Sequence, residues 1–234
     1  MSGAPRPRTG NHPAPTRVQK SMRSLSCAVA LLAFPLATLA QTKIPCSQTI
    51  THPLQPRTAL SIDSTPAGLQ IVGTDQDELH VSCTAGSDQD ARNIALQLSS
   101  TANGNKLSIE GTHAQNGNHN LQITIEVPRR TNLSVRMFAG QITVEEVKGD
   151  KDIEIGAGQI TISSIHAGDY RSVKASVGAG EVQAQAFGAE KGGLFRSFSR
   201  ENAAGDYRLQ AHVTTGQIQL LGNAEQRGDG PKPD

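Results

Sequence analysis

The sequence predicts an all-β chain, a β-solenoid or single-stranded β-helix-like stack of short strands with one short helix near residues 88–98. Three observations predict it. Apolar residues fall on alternate positions through most of the chain, glycines recur every 9 to 12 residues in its second half, and the segments around those glycines repeat one another.

The alternation comes first. Leu107 and Ile109, then Leu121, Ile123, Ile125 and Val127, then Leu133 and Val135 are separated mainly by Ser, Gln, Thr and Glu. This is the period-2 pattern of strands with one buried face. It continues through Ile142 and Val144, Ile153 and Ile155, Ile160 and Ile162, Val173 to Val177, Val182 and Ala184, Leu209 to Val213, and Ile218 and Leu220. One segment departs from it. In "SDQDARNIALQLSS", Ala91, Ile94, Ala95 and Leu98 stand at i, i+3, i+4 and i+7. Ser87 suits an N-cap, and Asp88 and Asp90 suit a first turn, so the spacing predicts an amphipathic helix over 88–98.

Glycines at Gly140, Gly149, Gly158, Gly168 and Gly180, resumed at Gly205 and Gly216, each precede a strand. They are read as turn glycines, where the chain needs positive φ or leaves no room for a Cβ. Such spacing fits a β-sandwich as well as a solenoid. The corners, however, alternate between two types. "AGQI" at 139 and 157, "AGEV" at 179 and "TGQI" at 215 form one series, and "GD" at 149, 168 and 205 forms the other. A two-corner unit of roughly 18–22 residues stacked on itself places like on like. Ile142, Ile160, Val182 and Ile218 then share a core, while Gln141, Gln159, Glu181 and Gln217 align in a polar ladder. Glu181 is the only carboxylate in that series, which argues for structure rather than catalysis.

The order "LSIDSTPAGLQIVGTDQDELHVSC", a short helix, "KLSIEG", "LQITIEVP", "NLSVRMFAGQITVEEVKGDKDIEIGAGQITISSI" and "LQAHVTTGQIQLL" resembles the bacterial putative-adhesin domain family. The resemblance spans residues 50–221. It implies an exported or envelope-associated β-solenoid-like domain of unknown function, and it carries no functional residues.

Residues 1–40 read as a leader, with 1–21 a mis-set start and 22–40 a signal peptide. Basic residues Arg6, Arg8, Arg17, Lys20 and Arg23 precede "LSCAVALLAFPLATLA", which is shorter than the about 20 apolar residues of a spanning helix. Cleavage before Gln41 leaves a domain over 41–222, no transmembrane segment, and a polar tail over 223–234 expected to be disordered. The expected location is the periplasm or the cell surface. Five of the 22 Lys and Arg lie in the leader and none of the 21 Asp and Glu, so the remainder carries a net charge near −4. That argues against nucleic acid and anionic membrane as partners by bulk electrostatics. Cys27 leaves with the leader. Cys46 and Cys83 remain, and in an oxidising compartment a bridge between them would contribute about 3–4 kcal/mol.

Candidate sites are few. The stretch 188–207 interrupts the glycine rhythm and sets Phe195 and Phe198 beside Arg196 and Arg200, a composition that suits a protein-binding surface or a cap over the open end of a stack. Acidic residues group at Asp75, Asp77 and Glu78, at Asp88 and Asp90, and at Asp150, Asp152 and Glu154, without a glycine-anchored calcium loop. His52, His80, His113, His119, His166 and His212 lack metal-ligand spacing, and no nucleophile elbow or phosphate-cradling loop occurs. No metal, cofactor or catalytic set is expected. The reading is a non-catalytic scaffold or interaction module of the envelope, with a protein or polysaccharide partner. A carbohydrate-active β-helix enzyme is the alternative, and it requires Asp150, Asp152, Glu154, Glu181 and Arg171 to share one concave face. An envelope-stress sensor is a third.

Overall fold

The computed structural model describes residues 43–101, 104–111 and 121–222. The expected leader, the loop holding His113 and His119, and the polar tail lie outside these residues. The described chain is nearly all strand: β1 (Ile44–Pro45), β2 (Ile50–Pro53), β3 (Ala59–Ser64), β4 (Ala67–Thr74), β5 (Glu78–Thr84), β6 (Ile94–Thr101) and β7 (Gly104–Gly111). There follow β8 (Gln122–Pro128), β9 (Asn132–Glu145), β10 (Lys151–Ile165), β11 (Tyr170–Ala184), β12 (Ala189–Glu201) and β13 (Tyr207–Gly222). All thirteen belong to one mixed sheet.

The long strands bend in the middle and lie over one another in register. β9 pairs parallel with β10, β10 with β13, and β13 with β11. The first half of β9 also pairs parallel with β3 and the second half with β4, so β3, the Thr65-Pro66 bend and β4 act together as one more bent level. Beyond them lie β7 on β3 and β8 on β4, both parallel. Antiparallel strands finish both ends: β6 on β7 and β5 on β8 at one, β12 on β11 at the other.

Like falls on like. Gln141 lies opposite Gln159, Gln159 opposite Gln217, and Gln217 opposite Glu181. The Gln217 Nε2 donates to Glu181 Oε2 at 3.1 Å, whereas Gln159 Nε2 turns to Thr161 Oγ1 at 3.3 Å. One position inward, Leu69, Ile142, Ile160, Ile218 and Val182 form a buried column. Each such aliphatic side chain is worth about 1.5–3 kcal/mol when removed from water.

Two expectations are corrected. The helix predicted over 88–98 stops at Arg92, and Ile94–Thr101 is strand β6. Ile94, Leu96 and Leu98 also alternate, and Leu96 and Leu98 sit opposite Ile109 and Leu107 of β7. Burying Ile94 and Leu96 there outweighs the weak helix spacing. The four similar corners also do not stack in chain order, because β13 lies between β10 and β11. The turn at Gln185–Phe187, closed by Gly188 at φ 69°, returns the chain as β12 against the outer edge of β11. Only the other edge of β11 is then free for β13. The loop from His166 to Asp169 spans this gap, and the N–H groups of Asp206 and Tyr207 donate to Asp169 O.

The bends depend on glycine. Gly140, Gly158, Gly216 and Gly180 have φ between 134° and 142°, a region closed to other residues. A Cβ on Gly158 would fall on the Gly140 carbonyl, one on Gly216 on that of Gly158, and one on Gly180 on that of Gly216. Gly149 has φ 151°, and a Cβ on Gly205 would meet the Tyr170 carbonyl carbon. Gly168 sits in a turn with nothing within 4 Å of its added Cβ.

Cys46 and Cys83 are bridged, with Cα atoms 5.1 Å apart and a sequence separation of 37.

Two stability predictions follow from these contacts. Gly158→Ala is expected to lower unfolding free energy by about 3 kcal/mol or more, and Gly168→Ala by less than about 0.5 kcal/mol, in denaturant titrations. Replacing Cys46 and Cys83 with Ala should cost about 4 kcal/mol, and adding reductant to the native chain should reproduce the loss in the same titration.

Candidate functional site

The bend that glycine permits also shapes a groove. It has a volume of about 740 Å³ and is formed by Asp63 and Ser64 of β3, the Thr65-Pro66 bend, Ile109, Arg136 to Phe138 of β9, and Glu154 and Gly156 of β10. Alternation explains which side chains face it. Leu133, Val135 and Met137 point inward and are buried, so Arg136 and Phe138 point outward.

Arg136 is held in place from several sides. Its Nη2 pairs with Asp152 Oδ2 at 2.5 Å and its Nε with Glu154 Oε2 at 3.2 Å. Its Nη1 donates to the carbonyls of Val135 and Asp152 at 3.1 and 3.0 Å. Lys106 Nζ meets Asp63 Oδ2 at 2.6 Å on the other side of the groove. These groups are two-fifths exposed or more, so each pair adds little stability. Their effect is to present carboxylates and a planar guanidinium with little freedom left to lose on binding. Phe138 is 77% exposed beside them. Gly156 lets the two strands close up here, since a Cβ there would lie 2.6 Å from the Phe138 carbonyl oxygen. Thr65 Oγ1, also at the groove, is buried without a hydrogen-bond partner.

The residues singled out from sequence are divided by the structure. On β12, Phe195 is 86% exposed at a bend, and Arg196 folds back to donate from Nε to Gly192 O at 2.8 Å. Phe198 packs against Phe187 with ring centroids 5.5 Å apart, and the Arg200 guanidinium lies 5.3 Å over the same Phe187 ring. In register, Lys191, Arg196, Phe198 and Arg200 stand opposite Val182, Val177, Ala175 and Val173, the inward positions of β11. The five residues required for an enzymatic face do not converge. Asp152 and Glu154 are committed to Arg136, and Asp150 accepts the Arg208 N–H at 2.8 Å. Glu181 lies beyond the bend facing Gln217, beside Glu190, whose pKa is raised by a hydrogen bond to Glu181 and by its charge. Arg171 lies at the start of β11, near the opposite corner.

Ser176 Oγ lies 2.9 Å from His212 Nδ1, with Glu154 on the next strand. Thr51 and His80 form the same contact at 3.2 Å between β2 and β5. Both are cross-strand pairs on an exposed sheet face, where hydroxyl and imidazole neighbours stabilise the ladder. Among the described residues no three His, Cys, Asp or Glu side chains are placed to share a metal ion.

Lys151 escaped the sequence analysis. It stands in phase with Ile153 and Ile155, so alternation directs it into the core, between Leu133 of β9 and Leu209 of β13. It is 2% exposed, and its Nζ donates to Gly149 O at 3.2 Å and to the Tyr170 hydroxyl at 2.7 Å. Nζ lies 5.1 Å from the Tyr170 ring centroid. Burial lowers its pKa to about 7, against the opposing pull of Asp150 and Asp169. Burial, reinforced by Asp169, Tyr207 and Asp150, raises that of Tyr170.

No protein-family model matches the chain, and no curated protein matches it. Solved structures do. A putative cell adhesion protein from Clostridium sporogenes ATCC 15579 is similar over 75% of this chain and 99% of its own, with a TM-score of 0.50 and 12% identity. A putative adhesin from Bacteroides fragilis NCTC 9343 aligns over 75% of this chain and 98% of its own, at a TM-score of 0.29 and 11% identity, too low to bear on the fold. The first neighbour shows a shared fold.

The buried lysine sets a pH dependence. Between about pH 7 and 10 the unfolded chain holds a proton on Lys151 that the folded chain lacks, so stability should rise with pH by up to about 1.4 kcal/mol per unit. Above about pH 10 the protonated Tyr170 reverses the trend. Denaturant midpoints across this range should show the rise in the native chain, and Lys151→Met should flatten it.

Proposed function

We propose that the chain is an exported, non-catalytic β-solenoid, an adhesin-like interaction module of the bacterial envelope that displays a binding face along the bends of its stacked strands. The like-on-like register of β9, β10, β13 and β11 supports the solenoid reading, because each level repeats the two-corner unit of the one beside it. The signal-like leader and the Cys46–Cys83 bridge support export. Phe198, Phe187 and Arg200 act together as a cover over the end of the core, leaving Phe195 outside it.

The observation that carries the binding face is Phe138. In a domain whose other large apolar side chains are almost all buried, an exposed aromatic beside an immobilised Arg136 leaves apolar surface in water that a partner would cover. Its removal costs the fold little, since it packs on almost nothing.

Binding of the purified full chain to envelopes of the exporting cell tests this reading. Saturable binding is expected, weakened about tenfold or more in Phe138→Ala with an unchanged unfolding curve. Equal binding by the variant would remove the groove from consideration.

A further inference from the structure

A single row runs along the bend. Gly156 lies between two residues paired with Met137 and Ala139, which sets it beside Phe138, and by the same register it lies beside Thr214. Thr214 lies beside Gly178, and Gly178 beside Phe195. The row therefore reads Phe138, Gly156, Thr214, Gly178, Phe195, with an exposed aromatic at each end and small residues between. Among the described residues the exposed large apolar side chains are Phe138, Leu194 and Phe195, and all three are at this bend. Four strand-to-strand steps of about 4.8 Å set the backbone positions of Phe138 and Phe195 about 19 Å apart, roughly the length of four pyranose units.

The chemistry on either side of the row narrows the occupant. Gln141, Gln159, Gln217 and Glu181 line one flank at the strand repeat, with Gln159 Nε2 donating to Thr161 and Gln217 Nε2 to Glu181, so that amide oxygens and the Gln141 amide face outward partners. Arg136, Glu154, His212 and Ser176 line the other. The lining carries a small excess of acid, Arg136 being paired with both Glu154 and Asp152, and Glu181 accepting from Gln217. A polyanion would find no run of free cations here, and a polycation would find few free carboxylates. A peptide strand could not pair along the row, because the row crosses the strands and each of its three middle strands is paired on both sides. A chain of neutral rings, apolar on their faces and hydroxylated at their rims, matches both the aromatic ends and the amide and hydroxyl flanks.

We propose that a neutral oligosaccharide lies along this bend, its terminal rings stacked on Phe138 and Phe195 and its hydroxyls hydrogen-bonded to the glutamine flank. The proposal rests on the reading of the bend as the binding face. It gives that face a ligand class and a length.

Calorimetric titration of the purified full chain with neutral gluco- and manno-oligosaccharides of two to six units tests it, with a uronic-acid oligosaccharide as the charged control. Affinity for neutral sugars is expected to climb with length and to level off once the chain spans both rings. Phe138→Ala and Phe195→Ala should each weaken the six-unit sugar about tenfold. Thr214→Glu, which blocks the middle of the row and leaves both rings, should abolish the gain with length while short sugars still bind. The proposal is overturned if no neutral sugar binds, if the charged control binds more tightly, or if the six-unit sugar binds all three variants as it binds the native chain. Phe138-dependent binding to envelopes alongside any of those results would leave the binding face standing, with an acidic polysaccharide as its partner where the charged control binds more tightly and a protein otherwise.

Discussion

The close approach of carbonyl to glycine at each bend is the constraint from which the rest of the structure follows. Each of Gly158, Gly216 and Gly180 lies where the carbonyl of the preceding level's glycine fills the space a Cβ would take. That contact fixes register as well as curvature. A slip of one residue would put Ala157 or Gln159 against a carbonyl and turn every aliphatic side chain outward. Hydrophobic burial supplies the driving force, yet it is indifferent to which of several similar strands lies beside which. The glycine column and the glutamine ladder align these strands level by level.

The same bend creates the surface from which recognition is argued. Because backbones approach so closely there, the outer row is reduced to Gly156, Thr214 and Gly178, a narrow floor bordered by polar side chains. Arg136 is held by its carboxylate neighbours, and the backbone at Phe138 can approach β10 so closely because position 156 carries no side chain. Rigidity and exposure therefore come from one cause. Recognition through Arg136 loses little conformational entropy, since that side chain is already ordered by its neighbours.

Much of this was legible in the sequence. Period-2 alternation located the strands, and the repeated "AGQI", "AGEV" and "TGQI" segments placed Ile142, Ile160, Val182 and Ile218 in one core. What stayed hidden depended on pairing partners. Whether Ile94 to Leu98 coil or extend is decided by β7, and whether β13 stacks last or is inserted is decided by the edge that β12 occupies. Two site residues were readable from phase alone. Lys151 shares the inward phase of Ile153 and Ile155, and Phe138 falls out of the inward phase of Val135 and Met137. In each case a side chain whose chemistry contradicts its position marks the place worth examining. The row joining Phe138 to Phe195 could not be read, because the two are joined through the inserted β13.

The inward-facing side of β12 has a consequence for assembly. A stack of parallel strands is an open-ended template, and its last edge invites another strand to add, then another. Here the inward positions of the final level hold Lys191, Arg196 and Arg200, where the level beneath holds Val182, Val177 and Val173. An incoming strand would have to enclose three cations in the place of a hydrocarbon core, a penalty no backbone pairing offsets. At the other end the outermost strands are only two and four residues long, and each ends in proline. A fold that repeats itself so regularly thus carries, at both described ends, features that oppose strand addition between molecules.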